Sequence, residues 1–81
     1  MKLKKNIALS ESGFVFNPVT GDSYSANPVG KRVMELLQEE DSFDDILNIL
    51  SEEYDVDRGR LEQDLDDFYA LLRQLYLTEN G

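Results

Sequence analysis

Neither cysteine nor histidine occurs among the 81 residues. Without cysteine there are no disulfides, no thiolate metal ligands and no thiol nucleophile. Without histidine, a zinc site or a histidine-based triad cannot be built from this chain. No apolar run approaches the roughly 20 residues that span a bilayer. The basic start, Met1-Lys2-Leu3-Lys4-Lys5, leads into no apolar stretch of the kind a signal peptide carries. Positive charge is scarce: 8 Lys+Arg face 17 Asp+Glu, a net charge of −9. Such a chain repels nucleic acid and anionic membranes. A chain this short buries only about 60% of its unfolded surface, which leaves room for one domain, residues 1–81, and no more. These exclusions predict a soluble, cytoplasmic protein that binds something rather than transforming it, with no metal and no cofactor.

The charge that is present is unevenly spread. From Met1 to Met34, five basic residues face Glu11 and Asp22, a net charge of +3. From Glu35 to Gly81, 3 basic residues face 15 acidic ones, a net charge of −12. No Pro/Ser/Gly-rich tract separates the halves, so the shift marks a change of structure within one domain. The acidic half is either a set of solvated helix faces or an attractor for a basic partner.

The first quarter reads as strands. Ile7 and Leu9 alternate with Asn6, Ala8 and Ser10. A turn cluster, Ser10-Glu11-Ser12-Gly13, precedes Phe14-Val15-Phe16, whose aromatic and β-branched side chains suit a pleated surface. A second turn, Asn17-Pro18-Val19-Thr20-Gly21-Asp22, leads to a short third strand in which Tyr24 and Ala26 alternate with Ser23 and Ser25. Tight turns between three strands make an antiparallel meander.

The remainder reads as helices. Asn27 is an N-cap and Pro28 follows at the first helical position. Val29, Val33, Leu36 and Leu37 then share a face. Ser42 caps a second helix, with Asp45 three residues on and Phe43, Ile46, Leu47, Leu50 and Tyr54 along one side. Asp57 caps a third, with Val56 and Leu61 placed as a hydrophobic staple. Leu61, Leu65, Phe68, Leu72 and Leu75 form its stripe. The expected fold is α+β and winged-helix-like: a three-stranded antiparallel β-meander followed by three α-helices.

Few groups could carry chemistry. Asp41-Ser42-Phe43-Asp44 opens a helix in an acidic small protein, as the modified serine of acyl carrier proteins does, but carriers begin with helix and a serine there is ordinarily a cap. Asp55-Val56-Asp57-Arg58-Gly59 begins like a calcium loop, yet glycine stands fifth rather than sixth and Arg58 and Arg60 fall inside. Asp64 and Asp67 on an open helix face have no cleft to tune them for acid–base work. The fold would suit a DNA reader, but acidic helices do not. The third strand is different. It lies at an edge, where unpaired N–H and C=O groups form a template. Beside a long amphipathic helix, such an edge makes a groove for an extended peptide.

These features resemble the PqqD-like family. Tyr24-Ser25-Ala26-Asn27-Pro28-Val29-Gly30 is similar to that family's approach to its first helix. Phe43-Asp44-Asp45-Ile46-Leu47, Leu50 and Tyr54-Asp55-Val56-Asp57 are similar to its second helix and following turn. Leu61 to Phe68, Leu71-Leu72 and Leu75-Tyr76-Leu77 resemble its third helix and tail. The resemblance runs from Phe14 to Leu77. It implies a RiPP recognition element, a domain that binds the leader of a ribosomally made precursor peptide. The domain presents that leader to a modifying enzyme, such as a radical SAM protein or a leader peptidase.

Carried onto this chain, the resemblance implies that the leader adds as a strand along Asp22, Ser23, Tyr24, Ser25 and Ala26. It would also pack against one shoulder of the third helix, Arg58–Leu75. The helical period offers two shoulders: Arg60, Asp64, Asp67 and Leu71, or Glu62, Tyr69, Arg73 and Tyr76. The first is preferred, with Phe68, because Leu71 is an apolar residue outside the stripe that a ligand could cover. Ala26 stands where the family more usually has Leu, which either deepens the groove or loosens the core. Little chain precedes the first strand, which points to a pathway other than pyrroloquinoline quinone synthesis.

The reading is a free-standing peptide chaperone and not an enzyme. The alternatives are an acyl or peptidyl carrier-like protein modified at Ser42 and a small acidic protein–protein adaptor. An exposed edge also leaves open a monomer or a domain-swapped dimer.

Overall fold

The computed structural model describes residues 1–79. The order is β1 (Ala8–Leu9), β2 (Phe14–Phe16), β3 (Ser23–Ser25), α1 (Pro28–Gln38), α2 (Phe43–Glu53) and α3 (Arg58–Gln74). This is the expected meander followed by three helices. The sheet runs β1-β2-β3, antiparallel throughout, with Leu9 opposite Val15 and Val15 opposite Tyr24. Opposed residues share a face, so these three point inward together. Val15 is buried and Leu9 and Tyr24 pack around the core. Phe14 and Phe16 take the opposite face with Ala8, Ser23 and Ser25, all exposed. Among the described residues, no helix is long and apolar enough to cross a membrane.

Each helix begins at the cap read from the sequence. The side-chain oxygens of Asn27, Ser42 and Asp57 accept from the N–H groups of Gly30, Asp45 and Arg60, at 2.7, 3.1 and 3.0 Å. Each bond satisfies a donor the helix cannot pair itself. The helices are tied together by Arg32 of α1, which grips Glu53 of α2 with bonds of 2.8–3.2 Å. Arg58 of α3 donates to Asn48 of α2 at 2.8 Å.

Four expectations about packing are corrected. Val29 does not join the buried face of α1; it is 38% exposed, while Gly30 and Met34 are buried. The buried stripe is thus centred to one side of Val29. On α3, Tyr69 is core and not shoulder, at 7% exposure, whereas Phe68 and Leu75 are only half-buried. The reason is Phe43, whose ring meets Tyr69 edge-on at 5.2 Å and 83°; aromatic pairs favour this geometry. Val56, the expected staple, is 51% exposed. The first strand is shorter than its alternation implies, and Ile7 is buried just ahead of it.

One tie is absent from the sequence reading. Leu3 bridges antiparallel to Thr78. Lys4 N–H donates to the Leu77 carbonyl, and Glu79 N–H to that of Lys2, both at 2.9 Å. Leu3 and Leu77 are buried beneath this clasp.

Candidate functional site

Among the described residues, the sheet order leaves β3 with a neighbour on one side only. Its register decides which groups remain open. Asn17 N–H donates to the Asp22 carbonyl at 2.9 Å and Ala26 N–H to that of Gly13 at 2.8 Å. In an antiparallel pair, bonding residues alternate. Asp22, Tyr24 and Ala26 therefore turn their bonding groups toward β2, and Ser23 and Ser25 turn theirs away from it. Gly13 makes the last of these bonds possible. Its φ is +92°, and a Cβ there would stand 2.7 Å from the Ala26 carbonyl oxygen. Only glycine fits such a position without strain.

Beside this edge lies a groove of about 500 Å³. Ser25 and Ala26 form its strand side, and Asn27, Val29, Gly30 and Val33 bring in the first turns of α1. Leu61, Asp64, Leu65, Phe68 and Leu71 of α3 form the other wall, with Leu50 of α2 contributing. Gly30 brings the walls together: a Cβ there would meet Phe68 at 3.3 Å and the Asn27 cap at 3.1 Å. At Leu71, 44% exposed, the groove shows apolar surface that none of the described residues covers. Among the described residues, Asp64 is the one ionisable side chain in the lining.

The structure brings Ser25, Ala26, Asp64, Phe68 and Leu71 together on this groove. Ser23 lies on the same open edge, and Asp22 is exposed just before it. Tyr24 turns its side chain into the core side of the sheet and is half-buried. Arg60 and Asp67 are exposed on α3 and fall outside the lining. Ala26 lines the groove and also packs against the core. Sequence reasoning missed Val29, Gly30 and Val33 as groove residues. Gly30 carried a usable signal, because a glycine inside a helix costs about 1 kcal/mol and marks a close approach.

Ser42, the residue of the carrier alternative, spends its hydroxyl oxygen on capping α2. A second hollow, about 380 Å³, lies by the terminal clasp and is lined by Lys2, Lys4, Lys5, Glu40 and Glu79 among others. Lys2 pairs with Glu40 at 3.0 Å. That hydrogen bond, reinforced by the opposite charges, raises the Lys2 pKa and lowers that of Glu40. This hollow is polar and is not bordered by β3, so the apolar groove is the candidate site.

The family model for coenzyme PQQ synthesis protein D (PqqD) matches residues 13–77. Two solved structures are similar along nearly the whole length. TbiB1, in complex with the TbiA(beta) leader peptide, is 30% identical; the match covers 100% of this chain and 98% of TbiB1, with a TM-score of 0.89. Lasso peptide synthetase B1, complexed with the leader peptide, is 21% identical; the match covers 90% of this chain and 89% of that one, with a TM-score of 0.77. The second likeness is one of fold alone. No curated protein matches the chain.

Proposed function

The chain belongs to the PqqD family, and from that premise we propose that it is a free-standing leader-peptide-binding protein, a RiPP recognition element without catalysis of its own. The leader of a precursor peptide adds as a strand to β3 and is presented to a modifying enzyme, such as a radical SAM protein or a leader peptidase. The observation that carries this reading is the open edge at Ser23 and Ser25 running alongside an apolar groove. The two parts do different work. Backbone bonds to the edge supply affinity for any extended chain, and alternate side chains entering the groove supply selection. The leader peptide bound to TbiB1, at 30% identity and full coverage, supports the same reading.

The test uses the leader of a short precursor peptide, sought among the genes that neighbour this one. Proline at Ser25 removes an N–H that faces away from β2 and leaves the inner ladder whole. Ser25→Pro is expected to weaken leader binding at least tenfold by calorimetry while the circular dichroism spectrum is unchanged. Unchanged affinity would contradict strand addition.

A further inference from the structure

The outer face of the sheet carries something the groove does not explain. Phe14 is 58% exposed and Phe16 43% exposed, and both rings stand on the side away from the core. Their partners on the edge strand are the smallest that polar chemistry allows: Ser25 is opposite Phe14, and Ser23 is opposite Phe16. Ala8, on the other side of Phe16, is small as well. None of these five residues is charged. Two aromatic rings on a water-facing sheet, flanked on the edge side by serines, make an apolar step one strand in from the open edge.

A strand added to β3 would continue this surface, and the inference rests on that reading of the site. Side chains directly opposite Ser23 and Ser25 share their face, whichever way the added strand runs. The side chain between them, opposite Tyr24, turns the other way, toward the groove. Strands lie about 4.8 Å apart, so the added strand stands roughly 10 Å from β2. Two large side chains can lean together across that gap when the residue between is as small as serine. Ring centroids prefer separations of about 4.5–7 Å.

We propose that Phe14 and Phe16 form a second recognition surface, which selects large apolar side chains, aromatic above all, at the two leader positions opposite Ser23 and Ser25. The leader is then read on both faces. Its middle residue enters the groove between α1 and α3, and its two neighbours cover the outer rings. The ligand class follows: an extended peptide with consecutive bulky side chains, rather than one that is apolar on a single face.

The experiment is selection from a phage-displayed random dodecapeptide library on three proteins: the native chain, Phe14→Thr/Phe16→Thr and Ser25→Pro. Threonine keeps strand preference, and both replaced side chains are substantially exposed, so the fold should persist. If the double variant unfolds, Phe14→Thr alone serves. On the native chain, the enriched peptides are expected to carry aromatic or large aliphatic residues at i and i+2 around an apolar i+1. On the threonine variant, the preference at i and i+2 should vanish while that at i+1 stays. Replacing the i residue by serine in a selected peptide should cost roughly two- to tenfold in affinity on the native chain and nothing on the variant. Identical selections on these two proteins would overturn the outer surface and leave leader binding by the groove intact. Selections that yield no such peptide, or that Ser25→Pro does not alter, would overturn the strand-addition reading and this inference with it.

Discussion

At Tyr69 the protein buries a hydroxyl that has no hydrogen-bond partner among the described residues. Burial raises its pKa above that of a free tyrosine, because the phenolate would lose its water. Both the folded and unfolded chains hold the proton below about pH 10. Above that the unfolded chain ionises first, so stability falls as pH rises. Tyr69→Phe removes the unpaired group and keeps the ring against Phe43. It is expected to raise stability by about 1 kcal/mol in urea unfolding at pH 7, with a wider gap above pH 10. A loss of stability would mean that the hydroxyl has a partner. Tyr69 also shows where sequence reading stops. The helical period allowed either Phe68 or Tyr69 to face inward, and the choice fell to an aromatic contact with another helix. Period alone cannot see a partner twenty-six residues away in sequence.

The helices were legible because their beginnings are local chemistry. Asn27-Pro28, Ser42 and Asp57 cap the N–H groups that follow them, and all three starts stand where the caps predict. The ends were harder to read, because they use residues that do not advertise the role. After α1, Glu40 takes a φ of +64°, and after α3, Tyr76 takes +59°. In both cases the next N–H reaches back to close the final turn: Asp41 to the Leu36 carbonyl and Leu77 to that of Leu72, each at 3.1 Å. This closure usually employs glycine, for which a left-handed backbone carries no side-chain clash. Tyr76 is mostly exposed, so Tyr76→Gly should raise stability by about 0.5–1 kcal/mol in thermal unfolding. A fall would show that the tyrosine ring packs more firmly than its exposure implies. The strands gave their order and their edge, since turn residues mark both. They did not give the clasp of Leu3 on Thr78, because a single bridge has no periodicity to detect.

Considered as one body, the protein joins a +3 amino-terminal part to a −12 remainder. The groove wall formed by α3 belongs to the acidic part, and Asp64 brings one of its charges into the lining. Asp67, one turn on, is exposed outside it. A leader bearing Lys or Arg would be steered by this field, and salt would screen that attraction. The double reversal Asp64→Lys/Asp67→Lys is expected to weaken leader binding several-fold at about 20 mM salt and much less at about 500 mM. Equal affinity at both would remove electrostatics from the account. The open β3 beside α3 was readable from strand order and one long amphipathic helix; the α1 side of the groove was not. The exact lining was not readable either, because the approach of Gly30 to Phe68 is set by tertiary packing. The most direct measurement is a backbone-amide NMR titration of the labelled protein with the leader of a precursor peptide sought among its neighbouring genes. Shifts concentrated at Ser23 to Ala26 and along Asp64, Phe68 and Leu71, with the Ser25 amide newly protected from exchange, are the predicted result. Shifts confined to other helix faces, with β3 unmoved, would contradict strand addition and favour an acidic adaptor.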